Sequence, residues 1–330
     1  MRRILRTTFV IAAFAAPLTA PLTAPLAAQA PNPNCARVST ATQDACEKAT
    51  DLFNYMMPQL GTSLVGGSHT LGIGTTLGGL GHFAIALRGN AVRGDVPDLG
   101  SINVSPFGRA STNIGTKSQL LGLPAVDFAL GIYKGFPLGV TRIGGIDLIG
   151  SATYLPEVAT NEVTITPEDG ALKIGLGARV GLLEQSLVVP GISFSYLVRD
   201  LPVVSLAASA GNADFTINQF SVKTKSWRLA AQKNLLLFQL GAGYGRDTYT
   251  SAADVNIRIT SPAAANLSTG VSQEMTRSTM YGSLGFNLLV AKVVAEVGRV
   301  SGGDVSVFNR FAEAADKSRL YGSIGLRISF

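Results

Sequence analysis

Any chemistry in this 330-residue chain would have to be built from two histidines, two cysteines and scattered serines and carboxylates. His69 and His82 lack acid or cysteine companions at metal-ligand spacing. A histidine in a glycine-rich strand reads more simply as a buried hydrogen-bonder. Serine hydrolysis would need a nucleophile elbow, and no G-x-S-x-G turn occurs. Gly175, Gly177 and Gly181 have the wrong spacing for a dinucleotide fingerprint and fall inside a strand pattern. Asp95-Val-Pro-Asp98 offers two carboxylates, too few for calcium. No cofactor and no enzymatic activity are expected.

The composition directs attention elsewhere. Charged residues make up 15% of the chain and hydrophobic ones 46%, with 37 glycines and a mean hydropathy of +0.30. Globular domains average roughly 25% charged. Disorder needs the opposite balance. The glycines follow no period of three, which excludes collagen. Residues 1–30 combine a basic start (Arg2, Arg3, Arg6), a short apolar run from Thr8 to Ala16 and an Ala28-Gln29-Ala30 end, and read as a secretory signal peptide. Pro31 allows cleavage after Ala28 instead. Removing the three arginines lowers the formal charge from +6 to +3, leaving little basic surface for nucleic acid.

An exported chain meets an oxidising compartment, so Cys35 and Cys46 are expected to form a local disulfide. They are a poor zinc site without a nearby histidine, and Cys35 has no lipobox before it. Ala45, Ala49, Leu52, Phe53 and Met56 share one helical face, which predicts a helix over Thr42–Met57 that Pro58 stops. The 31–66 segment is either a periplasmic cap or a plug inside a pore.

Beyond about residue 68 the period changes from 3.6 to 2. Leu172, Ile174, Leu176, Ala178, Val180 and Leu182 alternate with Lys173, Gly175, Gly177, Arg179 and Gly181. Similar runs start at Ile192, Leu236 and Met280. Each is about ten residues long with one apolar face, as tilted membrane-crossing strands require. A soluble sandwich also alternates, but its strands are usually about five to six residues. Met280-Tyr-Gly-Ser-Leu-Gly-Phe286 echoes Leu320-Tyr-Gly-Ser-Ile-Gly-Leu326. The last strand, with Tyr321, Leu326, Ile328 and the terminal Phe330, resembles the C-terminal signal of Gram-negative outer-membrane β-barrel proteins. That resemblance covers residues 68–330. It implies an all-β, closed antiparallel transmembrane barrel over 67–330, in the outer membrane, with membrane lipid and the barrel-assembly machinery as partners.

Short periplasmic turns are expected at Lys134–Thr141, Leu183–Leu187, Lys233–Asn234 and Val290–Ala291, and long outer loops near 94–124, 157–170, 200–212, 261–273 and 302–317. Ten strands are clear from Phe83 onward. The 68–78 stretch and Leu99–Val104 would make twelve, within a range of ten to fourteen. Tyr154, Trp227, Tyr244 and Phe330 fall near strand ends, where interfacial aromatics sit.

The faces opposite the apolar ones carry Arg88, Lys173, Arg179, Arg199, Arg319 and Arg327, with Asp127, Asp147 and Glu296 as the acids. A cationic lumen would favour anions by field focusing. Alternatively the charges pair across a plugged barrel. The order of functional expectations is a channel or transporter for small or amphipathic solutes, then a structural or surface-interaction barrel, then a membrane-embedded lipid hydrolase using the histidines.

Overall fold

Alternation with period two places successive side chains on opposite faces of a strand, and ten such strands close on themselves here. The computed structural model describes residues 31–330 apart from 68, 160–162, 262, 263 and 289, so the expected signal peptide lies outside the described residues. The wall strands are β1 (Phe83–Pro97), β2 (Thr116–Tyr133), β3 (Gly145–Tyr154), β4 (Leu172–Leu183), β5 (Gly191–Asp200), β6 (Ala213–Leu235), β7 (Phe238–Ile259), β8 (Ala265–Asn287), β9 (Ala291–Val300) and β10 (Arg319–Ser329). Each pairs antiparallel with its sequence neighbour, and β10 pairs back onto β1 from Ser329↔Ala84 to Tyr321↔Val92. The ring leaves no open edge, the condition a spanning sheet must meet where no water satisfies backbone groups.

The wall therefore has ten strands, the lower end of the expected range. The two extra segments are not strands. Leu99–Ser101 is a single 3-10 turn. The 66–82 stretch carries Gly67, Thr70, Gly72, Gly78, Gly79 and Gly81 at positive φ, a backbone that cannot join a sheet ladder. It runs inside the ring instead.

One face of the wall is apolar and exposed. Ile85 and Leu87 on β1, Leu172, Ile174 and Leu176 on β4, Leu240 on β7, Leu284 on β8 and Leu320 and Ile324 on β10 all point outward. A continuous exposed apolar belt of this extent has no place in water. Aromatic pairs mark its borders: Phe83 with Phe330 and Phe238 with Phe286 at one end, Phe194–Trp227–Tyr244 at the other.

The compact turns at 184–190 and 236–237, the Leu288 N–H bond to Ala291 O, and the small hairpin pairing Phe136–Leu138 with Thr141–Ile143 gather at the Phe330 end. Short turns mark the inner side of such barrels, so that is the inner end. At the outer end, the expected loop near 261–273 is mostly strand: β8 begins at Ala265. Strands β6, β7 and β8 contain 23, 22 and 23 residues. At about 3.3 Å per residue each is roughly 75 Å long, against about 30 Å of hydrocarbon. Their outer halves project past the apolar belt, and Val204–Ala210, Val163–Pro167 and Val158–Ala159 add to that sheet.

The projecting sheet encloses the helix α1 (Thr40–Val65). Ala45, Ala49, Phe53, Tyr55, Met57 and Leu64 pack with Phe215, Phe220, Val222, Tyr249, Val255 and Val271 in the largest apolar cluster. Each large side chain so buried contributes about 1.5–3 kcal/mol. The helix runs through Pro58 rather than stopping there. The missing N–H of Pro58 would leave the Asn54 carbonyl without its intrahelical donor, and the Gln273 amide donates to that oxygen at 3.4 Å. Tertiary packing overrides the break.

Candidate functional site: the lumen and its threaded segment

The N-terminal segment passes through the barrel. Cys35 and Cys46 are bonded at the outer end, with Cα atoms 5.5 Å apart. From there α1 descends inside the projecting sheet, and 66–82 continues along the lumen to β1 at the inner end. The described residues of the segment thus lie inside the ring, with the disulfide at the outer end.

Arginines on six different strands read the main chain of this segment. Arg277 donates to Pro58 O at 3.0 Å, and Arg199 to the carbonyls of Leu64 and Val65 at 3.4 Å each. Arg88 donates to Gly66 O at 2.7 Å and Arg228 to Gly67 O at 3.2 Å. Arg327 reaches Leu71 O at 2.8 Å, and Arg179 reaches Ile73 O at 3.5 Å and the Thr70 hydroxyl at 2.9 Å. The last carbonyls of a helix and many of a coil lack intrasegment donors, and buried unpaired acceptors are costly; Pro58 O, inside the helix, already accepts the Thr62 hydroxyl at 2.7 Å and gains a second donor. The cations meet that need, and at the helix end they also oppose the negative pole of its dipole.

Carboxylates on adjacent strands hold three of these arginines in place. Arg88 lies 2.9 Å from Asp127, Arg179 2.5 Å from Asp147 and Arg228 2.7 Å from Asp247. Arg319 pairs with Asp95 at 2.6 Å. Asp147 also accepts the Leu77 N–H, and Glu296 accepts the Tyr321 hydroxyl at 3.1 Å. Arg88, Asp127, Asp147, Arg179, Arg199, Glu296, Arg319 and Arg327 are buried within the ring, whereas Lys173 is partly exposed and pairs with Asp169 in the outer loop. Lys173 lies at the outer end of β4, where the strand has left the filled lumen. Sequence reading missed Asp95, Arg228, Asp247 and Arg277. Arg228, Asp247 and Arg277 keep the inward parity of β6, β7 and β8, whereas Asp95 lies where the alternation of β1 breaks, next to the buried Gly94.

Other groups fill the remaining space. His69 lies between Ser195 Oγ at 2.8 Å and Ser226 Oγ at 3.0 Å, fully enclosed. The repeated Tyr-Gly-Ser motif has a steric use. Tyr281 stands across from Gly243 and Tyr321 across from Gly298, and a Cβ on either glycine would strike the tyrosine ring. These glycines make room for tyrosines rather than for a solute. Tyr321 therefore faces inward, while Leu326, Ile328 and Phe330 face outward.

At the outer end, α1 fastens the loops. Asp44 accepts the N–H groups of Ser105 and Ala110, at 2.6 and 3.1 Å, and pairs with Lys48. Asp51 accepts the N–H groups of Phe308 and Asn309, at 3.0 and 2.6 Å. Glu47 accepts the Asn32 N–H at 3.1 Å and faces Arg109 at 3.5 Å. Burial raises the carboxyls of Glu47 and Asp51 above their ordinary values, more than their hydrogen bonds lower them.

No family model and no curated protein sequence matches the chain. Solved structures that it resembles are Gram-negative outer-membrane barrels, and they leave the subfamily unidentified. The attachment invasion locus protein Ail of Yersinia pestis is 9% identical, with 76% of this chain and 99% of that one covered at a TM-score of 0.25. The outer membrane protease OmpT of Escherichia coli is 11% identical, with 76% and 96% covered at 0.33. The toluene transporter TbuX of Ralstonia pickettii is 12% identical, with 82% and 93% covered at 0.24.

Proposed function

We propose that this protein is an outer-membrane channel for small or amphipathic solutes, held shut by its own N-terminal segment. The observation that carries the reading is how the segment is attached. It joins the wall chiefly through side chains that grip its carbonyls, and its described residues form no strand ladder with the wall, only one main-chain bond from Gly131 to His82 at its end. A coil bound in this way can be withdrawn without opening the ring. Beside the helix end the lipid-facing wall carries an open depression of about 680 Å³ where Gly89, Gly122, Pro124 and Gly322 replace larger side chains, with Asn90 behind it, whose amide donates to Ser63 O at 2.6 Å. An anion-selective open pore fits poorly, since the cations are already engaged by carbonyls and carboxylates.

Single-channel recording tests this. Wild-type protein in planar bilayers is expected to be closed for most of the record. The Arg88→Ala/Arg228→Ala variant, folded by the heat-mobility criterion, should open more often. Silence in both would favour the second reading, a surface-interaction barrel. That reading draws on the outer head, whose loops are fastened to α1 by Asp44 and Asp51. Its test is removal of the 98–115 loop, which spares β1 and β2, followed by a binding assay on whole cells.

The reading assigns no catalysis. His69 and its two serines are sealed from substrate, and His69→Ala should leave any lipid hydrolysis by purified protein unchanged.

A further inference from the structure

The outward face of the wall changes character abruptly at the outer border of the apolar belt. Beyond the last lipid-facing apolar position, the next outward residue is Arg93 on β1, Lys225 on β6, Arg246 on β7 and Arg299 on β9, all exposed. The one acid in that row is Asp200 on β5, which stands in register with Lys223. Two of the cations already have polar partners: Arg93 donates to the Ser118 hydroxyl at 3.2 Å and Arg299 to the Ser318 hydroxyl at 2.6 Å.

Lys225 and Arg246 differ. Among the described residues, neither lies within 4.0 Å of a carboxylate, in a chain that pairs most of its interior cations. Lys225 is in register with Thr248 and Trp227 with Arg246, so the two cations are diagonal neighbours on one face, within about 8 Å. Directly below them lies the aromatic border, with Trp227 stacked on Phe194 at 6.0 Å and edge-on to Tyr244 at 5.8 Å. Aromatic side chains of this kind settle at head-group depth. The nearest outward acid farther along β8 is Glu274, opposite Thr250, four residues beyond Arg246 on the β7 side.

We propose that Lys225 and Arg246, above the Phe194–Trp227–Tyr244 cluster, form a site for the phosphate-bearing head group of an outer-leaflet lipid, whose acyl chains lie against β5, β6 and β7. Two unpaired cations a diagonal apart can share one phosphate, the arginine through paired N–H donors and the lysine as a point charge. The aromatic cluster fixes the depth at which that phosphate is met. The site is independent of whether the lumen conducts.

Native mass spectrometry of the full protein in mixed micelles tests it, with bis-phosphorylated lipid A and its dephosphorylated form as probes. Wild-type protein should retain the phosphorylated lipid preferentially. Lys225→Gln/Arg246→Gln should lose roughly tenfold in retention, while Lys225→Arg/Arg246→Lys keeps it and Glu274→Gln leaves it unchanged. Gel mobility of unheated samples establishes that each variant is folded. Equal retention by the glutamine variant, or equal retention of the dephosphorylated lipid, overturns the site. Competition by inorganic phosphate at the lipid's own concentration also overturns it, in favour of a simple ion site.

Discussion

Arg88 donates to the main-chain oxygen of Gly66 across 2.7 Å while its Nε lies 2.9 Å from Asp127. One side chain thereby joins a wall strand, its neighbour and the end of α1. Arg228 repeats the arrangement with Asp247 and Gly67. The barrel and its contents thus share side chains, while the ring itself is closed by its own strand ladder. Each carboxylate keeps its arginine charged and aimed, and each arginine satisfies a carbonyl that water cannot reach.

Asp147 shows what such a pair contributes. It holds Arg179 and also accepts the Leu77 N–H. Asp147→Asn strands a buried guanidinium, so a loss of about 3–5 kcal/mol is expected. Replacing both partners, as Asp147→Leu/Arg179→Met, removes the stranded charge and should cost less. Urea-dependent unfolding in lipid vesicles compares the three proteins; a double variant no more stable than Asp147→Asn would refute the account.

Gly61 is a helix residue chosen for clearance. A Cβ there would sit 2.5 Å from Cδ1 of Tyr249. Helix propensity alone favours alanine by about 1 kcal/mol. Because the ring belongs to the rigid projecting sheet, Gly61→Ala should still destabilise the outer head, and Gly61→Val more so. The pairing with Tyr249→Leu makes the check specific: that change should relieve the defect of Gly61→Ala. Limited proteolysis of the 98–115 and 301–318 loops reads both effects.

The fastening of those loops has a definite pH sign. Burial raises the Glu47 and Asp51 carboxyls above their ordinary 4.5 and 3.8. Between the ordinary and the raised value the folded head holds more protons than the unfolded chain. Their contribution is therefore greatest at low pH and is lost as pH rises through the raised values. Protection of the loops from an acid-tolerant protease should fall on going from mildly acidic to neutral pH. Glu47→Gln/Asp51→Asn should flatten that dependence.

Alternation made the wall legible: the strands from Phe83 onward and the inward parity of Arg88, Asp127, Asp147, Arg179 and Arg199 follow from a period of two. Glycine runs did not identify themselves. The 68–78 stretch has strand-like spacing, but the positive φ angles of Gly72 and Thr70 become visible only in the backbone. Pro58 misled for a related reason, since its rescue by Gln273 depends on a residue 215 positions away. The carbonyl-gripping role of the arginines was hidden because main-chain acceptors carry no sequence signature.

The threading makes a topological prediction that side-chain identity alone would not. The C-terminal Phe330 and the short turns lie at the inner end, while the Cys35–Cys46 disulfide and the start of α1 lie at the outer end. An exposed residue beside the disulfide should therefore face the cell exterior, although the chain enters the membrane from the periplasm. Ser39→Cys, which is exposed and close to the helix start, should react with a membrane-impermeant maleimide on intact cells. A cysteine at Leu236, exposed in the inner β6–β7 turn, should react only after the outer membrane is breached. Reducing the disulfide should loosen the outer head by about 2–3 kcal/mol, as expected for so short a loop, and leave the heat-dependent gel mobility of the barrel in place. Labelling of Leu236→Cys but not Ser39→Cys on intact cells would invert the orientation assigned here and, with it, the side from which the lumen is closed.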